Sequence, residues 1–358
     1  MKREIWKGLL ILGIAGGMIL GCNKENVSSS SGTNLSTLLA IGQTSSQLAS
    51  GTSFTVQTTS TGSTIDTTHT NPHPGHCKND GMGSFLNGTN FLTPTNELIA
   101  IVDAESAGDM RGIRMYARGG AAITNYDASG SVVTLPDPGA RGAQGVSFSC
   151  GQFPLTDSLL KKIVKTVIDF GSGVSVKHDS ITITRVGKII ITRVKSGQVL
   201  TETVTFENYS VNNNSIEGTK TRISTFDSST GKGSSATAVA NGKITFSDGT
   251  VASWTSSKQR TSDIVLDSAT NRPSSGTIVT TAATTVTSSD GTVIYSHNTT
   301  NPITENIACG QSHHWPVSGT VETIYRTQTV IVDFGDGSCT NATISVTING
   351  VTTTKTIG

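Results

Sequence analysis

Imidazole, thiolate and thioether are the ligands that copper(I) or zinc selects. The chain gathers all three types in one place, at His69, His73, His76 and Cys77, with Met82 just beyond. Pro72, Pro74 and Gly75 keep this stretch from being helical, so the spacing alone does not put the ligands on one face. A disulfide at Cys77 would also remove the softest ligand. The expectation is a solvated histidine-rich loop, with a metal site at His69, His73 and His76 as the sharper alternative. Nothing else in the chain asks for a cofactor. His313-His314-Trp315 is a second histidine cluster, and a strand edge or loop accounts for it.

Catalysis needs a nucleophile with a base, or carboxylates at a working distance. The chain has no Gly-x-Ser-x-Gly elbow, no His-Glu-x-x-His and no phosphate loop. Asp103, Glu105, Asp109 and Arg111, followed by Arg114 and Arg118, form one charged cluster. Two suitably spaced carboxylates suffice for glycoside hydrolysis, but on a half-exposed helix a solvated ion-pair face is the commoner arrangement. The expectation is no catalytic residue.

The elements that must position these groups follow from composition. The chain has 358 residues, 34% hydrophobic and 5% aromatic, and Ser, Thr and Gly dominate the rest. Such material folds by alternating apolar and polar residues, as half-buried strands do. Lys and Arg number 26 against 25 Asp and Glu. This balance gives no electrostatic reason to seek nucleic acid.

Thr95-Asn96-Glu97 ahead of Leu98, Ile99, Ile101, Val102 and Ala104, with Gly108 after them, predicts one short helix. Strands are expected at 112–117, 121–126 and 131–135. Residues 156–164 read as a second helix or as the lead into the next strand. From Lys165 onward, segments such as ITITRV, KIIITRV, ETVTFENY, VETIYRT and TVIVDFG show period-two alternation. Asn241-Gly242, Asp248-Gly249 and Asp290-Gly291 supply hairpin dipeptides. Together these predict an all-β body of mainly antiparallel sheets, as a sandwich, an open barrel or a long meander, with one or two short helices in the N-terminal half. Thr166–Gly173 is echoed by Thr329–Gly337, each a strand running into an Asp-Phe-Gly turn. The expected roles are Phe packed inward, Asp capping the turn, and glycines permitting its angles.

Residues 1–7 carry three cations and residues 8–20 are apolar. A bilayer-spanning helix needs about 20 apolar residues, so this stretch reads as a signal peptide. It ends in Ile19-Leu20-Gly21-Cys22, which resembles the lipobox of bacterial lipoprotein precursors. The resemblance implies cleavage after Gly21, a diacylglycerol thioether on Cys22 and acylation of the new amino terminus. Asn23, where enteric retention signals carry Asp, favours the outer membrane, with the body facing the periplasm or the outside. The expected organisation is a signal peptide at 1–21, a flexible tether at 22–64, a mixed region at 65–160 and a β-rich region at 161–358.

Four cysteines remain in an oxidising compartment, Cys77, Cys150, Cys309 and Cys339. Of three possible pairings, Cys309–Cys339 with Cys77–Cys150 is favoured, because each bond joins residues of the same half of the chain.

The strand text from Val164 to the C-terminus resembles a group of uncharacterised lipoproteins from Bacteroidota. The resembling segments are the Asp-Phe-Gly-x-Gly turns, Gly187–Ile191, Phe206–Tyr209, Ile216–Thr219, Asn241–Phe246, Val317–Thr320 and Gly337–Cys339. The group often carries a cysteine at the first turn, where this chain has Val174. It brings no known activity with it. The expected role is therefore that of a membrane-anchored envelope protein which binds or scaffolds without catalysis, its partner an envelope protein or a glycan. The alternatives are a secreted hydrolase of glycans or peptides, and a periplasmic metal-binding protein using residues 69–82.

Overall fold

A computed structural model describes residues 89–109, 116–117, 119–134, 162–178, 181–227, 229–267, 273–309, 316–339 and 343–356. Its strands are β1 (Ala122–Tyr126), β2 (Lys165–Asp169), β3 (Val174–His178), β4 (Ile181–Ser196), β5 (Val199–Val211), β6 (Asn214–Asp227) and β7 (Lys232–Thr245). They continue with β8 (Val251–Leu266), β9 (Pro273–Ser288), β10 (Val293–Asn306), β11 (Ser318–Tyr325), β12 (Gln328–Asp336), β13 (Thr343–Ile348) and β14 (Val351–Thr356). All belong to one open antiparallel sheet in the order β1-β2-β4 and then consecutively to β14, with β3 also paired to β4. Of the three β arrangements expected, the long meander is the one found.

Among the described residues, one α-helix of several turns, α1 (Asn96–Ser106), lies on this sheet. Thr95 caps it, its hydroxyl accepting from the Leu98 amide at 3.1 Å. Leu98, Ala100, Ile101 and Ala104 face the sheet and are buried. A fully buried Leu or Ile contributes about 2 kcal/mol, and the two alanines let the helix approach closely. Glu105 near its C-terminal end meets both β6 and β10. Lys220 donates to its carbonyl oxygen at 2.5 Å, and the Tyr295 hydroxyl donates to its carboxylate at 3.0 Å. In a flat sheet those strands would be about 19 Å apart. The sheet is therefore curled around α1, which occupies its concave face. Among the described residues, no helix is long and apolar enough to cross a membrane.

The two Asp-Phe-Gly turns behave alike. Phe170 and Phe334 are buried, while Asp169 and Asp333 accept from the amides two residues on, at 2.7 and 2.8 Å. The first turn lets β2 and β3 share one edge of β4, pairing with residues 188–192 and 181–185 respectively.

Three local expectations are corrected. Tyr116 and Ala117 are helical, where a strand over 112–117 was expected; the Tyr116 hydroxyl is drawn inward to Asp103. The strand at 131–135 shrinks to a single bridge, Tyr126 with Val132. Asn241-Gly242 is not a hairpin turn but a bulge within β7, where pairing with β8 jumps from Ala238 to Gly242. A Cβ at Gly242 would lie 2.1 Å from the Trp254 carbonyl oxygen, so the close approach demands glycine. Residues 162–164 lead into β2, and the rest of the 156–164 segment lies outside the described residues.

Four turn aspartates, Asp248 and Asp290 exposed and Asp127 and Asp227 half-buried, make an acid-sensitive set. Asp127, Asp227, Asp248 and Asp290 each accept a backbone amide, from Ser129, Ser229, Thr250 and Thr292, at 2.8–2.9 Å. These Ser and Thr bonds hold all four carboxyls below the ordinary value of 3.8. A carboxyl whose folded pKa is depressed stabilises fully above the unfolded value, and that contribution is lost as pH falls through the folded one. Side-chain NMR titration should give four midpoints below that of free Asp, with stability declining only below about pH 4. Unshifted midpoints would show that the turn bonds are not formed in solution.

Candidate functional site

Among the described residues, α1 covers only part of the concave face. Ile191 and Val204 lie in the core beneath it, and successive inward positions on a strand are two residues apart. Two residues further along, Arg193 of β4 stands opposite Glu202 of β5. Glu202 stands opposite Arg222 of β6, which stands opposite Thr237 of β7. Thr237 stands opposite Lys258 of β8, and Lys258 opposite Ala282 of β9. One row across six strands therefore reads Arg, Glu, Arg, Thr, Lys, Ala. The next row holds Ser224, Ser235, Arg260 and Thr280. Beyond it Phe226, Ile264 and Ile278 form a second apolar cluster, with Leu266 and Ile307 against it. A polar band thus crosses the concave face between two apolar zones.

Most charges in the band are paired. Glu202 receives Arg193 Nε at 3.0 Å on one oxygen and Arg222 on the other. Arg193 also donates to the Thr166 hydroxyl at 2.8 Å, and Thr166 to Asn125 at 2.9 Å. Burial pushes the Arg193 guanidinium down to about 10. Lys220 caps the C-terminal end of α1 through the carbonyls of Glu105 and Ala107, where the helix dipole favours a cation, and meets Asp109 at 3.7 Å. Burial raises the Asp109 carboxyl, but Lys220, with Lys258 and Arg222, outweighs it and holds the group below its usual range. Arg260 meets Glu305 at 3.5 Å. Lys258 is exposed. Its ammonium is depressed by desolvation in the concave face and by the nearby Arg260 and Lys220, which together outweigh the opposing charges of Asp109 and Glu305.

The charged cluster read near the helix is dispersed. Asp103 goes into the core, where it accepts from Arg185 Nε at 2.8 Å, Tyr209 at 2.5 Å and Tyr116 at 3.1 Å. Burial, reinforced by the Asp103 charge, pushes both phenols far up, so they stay protonated and donate. Glu105 is bound to Tyr295 and Asp109 to Lys220. Arg111, Arg114 and Arg118 lie outside the described residues.

Sequence reasoning missed the band, although a signal was present. Arg193 and Lys195, Lys220 and Arg222, and Lys258 and Arg260 are three cation pairs at strand period, so each pair shares a face. At the other end of α1 an open depression of about 470 Å³ is lined by Thr95, Glu97, Tyr325 and Arg326 among others. Its charges satisfy each other, since Arg326 donates to both Glu97 oxygens at 2.8 and 2.6 Å.

Cys309 and Cys339 form a disulfide-compatible pair with Cα atoms 5.1 Å apart. Cys22, Cys77, Cys150, His69, His73 and His76 lie outside the described residues. Among the described residues no three His, Cys, Asp or Glu side chains converge as a metal site. Comparison of the chain with protein-family models, curated proteins and solved structures returned no match.

Proposed function

We propose that this chain is a lipid-anchored protein of the cell envelope whose β-rich body binds a partner, without catalysis, along the part of its concave face that α1 leaves open among the described residues. The observation that carries the reading is the row of Arg193, Glu202, Arg222, Thr237, Lys258 and Ala282. A concave strand face set with charges and small hydroxyl side chains suits a polar ligand laid across strands. Two guanidiniums occupy both oxygens of Glu202, leaving neither to a substrate, which argues against hydrolysis there. The apolar stretch ending at Cys22 supports the anchor, and Asn23 favours the outer membrane.

Replacing Cys22 with Ser should abolish palmitate labelling and release the protein from membranes, because several acyl chains hold far more firmly than one. Labelling that persists in this variant would end the lipoprotein reading. Crosslinking from intact cells at positions on the concave face should capture a partner, and crosslinks found only from the convex face would end the binding assignment.

A further inference from the structure

We infer that the polar band seats an oxyanion of the bound ligand, a carboxylate, phosphate or sulfate group, over Thr237 between Arg222 and Lys258. This rests on the binding role proposed above and adds the chemistry of the ligand.

The band carries six cations, Arg193, Lys195, Lys220, Arg222, Lys258 and Arg260, against three carboxylates, Asp109, Glu202 and Glu305. The excess is not spread evenly. Glu202 lies between Arg193 and Arg222, Glu305 meets Arg260, and Asp109 meets Lys220 while its charge also reaches Lys258 and Arg222. Among the described residues Lys258 makes no hydrogen bond or ion pair. It is exposed on the concave face with only small side chains, Thr237 and Ala282, as its in-register neighbours.

Thr237 separates Arg222 from Lys258 in the row, so the two cations are rooted two strand spacings apart, about 10 Å. Long side chains leaning inward from that separation leave room for one anionic group between their heads. Arg222 is committed to Glu202 through one terminal nitrogen, while its Nε lacks a partner. The Ser262 hydroxyl, on the same face of β8 and 7% exposed, lacks one as well. A concave wall bearing unmatched positive charge and unmet donors attracts an acidic group and strengthens its hydrogen bonds by partial desolvation. The hydroxyls of Ser235, Thr237, Ser256 and Thr280 floor the same band, and among the described residues no aromatic ring does. That favours a hydrophilic acid over an acyl chain.

The test is thermal unfolding of the full acylated chain in detergent, titrated at fixed ionic strength with inorganic phosphate or with trigalacturonate. Saturable stabilisation by either probe supports the site, and the probe that saturates at lower concentration identifies the source as a free phosphate or a uronate sugar. Lys258→Ala should weaken that midpoint by about tenfold, the cost of one charge-assisted bond. Lys258→Arg should largely retain it. Lys243→Ala should leave it unchanged, because that lysine faces the opposite side of β7 and pairs with Glu217. Lys258 is exposed and without a bond, so its loss leaves the fold intact. Stabilisation by neither probe, or a midpoint indifferent to Lys258→Ala, overturns the anion site. If crosslinking still captures a partner on the concave face, the binding role survives that failure.

Discussion

Arg185→Met will lower the unfolding free energy by about 3–5 kcal/mol, the loss typical of a buried ion pair left with one partner. Asp103 and Arg185 are 4% and 5% exposed, and the pair joins α1 to β4 across the core. Asp103 accepts from the two phenols as well as from the guanidinium, and the guanidinium lies over the Tyr116 ring at 5.1 Å. Removing the cation strands a carboxylate in a place that water does not reach. Asp103→Leu should cost a similar amount. The variant carrying both changes should fall short of the sum by about 2 kcal/mol or more, because the second change removes a charge already without its partner. Urea unfolding followed by far-ultraviolet circular dichroism measures all three variants. A loss below about 1 kcal/mol for Arg185→Met would mean that the pair is solvated and adds little to holding α1 on the sheet.

Changing Cys309 and Cys339 together to Ser is expected to lower stability by roughly 3–4 kcal/mol in the chain-entropy account, for a closed loop of about 30 residues. The pair ties the end of β10 to the segment after β12, across the β11–β12 hairpin. Ile307, in the same short turn as Cys309, packs against the second apolar cluster, so loosening this tie also exposes that cluster. Reductant should lower the stability of the native chain to that of the double variant and leave the variant itself unmoved. Peptide mapping without reduction supplies the covalent check. A Cys339 peptide that alkylates freely beforehand, or is joined to Cys77 or Cys150, would show the pairing to be wrong.

The helix was legible because its signals are local. Thr95, Glu97 and the apolar spacing from Leu98 to Ala104 act within a few residues, and α1 begins at Asn96 and ends at Ser106. The strand character after Lys165 was legible for the same reason. Strand length was not. Lys232–Ala240, almost all Gly, Ser, Ala, Thr and Val, has no apolar alternation, yet it forms most of β7 because β6 and β8 supply its hydrogen-bond partners on both sides. The Asn241-Gly242 dipeptide carries the same positive-φ preference in a bulge as in a hairpin, so only the register distinguishes them. The polar band was hidden for a third reason. Its six positions come from six strands, and no window of sequence holds more than two of them.

The order of the strands has a consequence for how the chain acquires its shape. Each long strand pairs with its neighbours in the chain, so every pairing closes a short stretch of polypeptide, and the entropy lost at each closure is small. A chain that emerges N-terminal end first can zip one hairpin onto the last without waiting for its C-terminus. The exception is α1, whose Glu105 and Glu97 find Tyr295 and Arg326 about 190 and 230 residues later. The helix must be held near the growing sheet by Asp103 and Arg185 until the last third of the chain arrives to wrap it. Curling is therefore the late event in this fold, and strand pairing the early one.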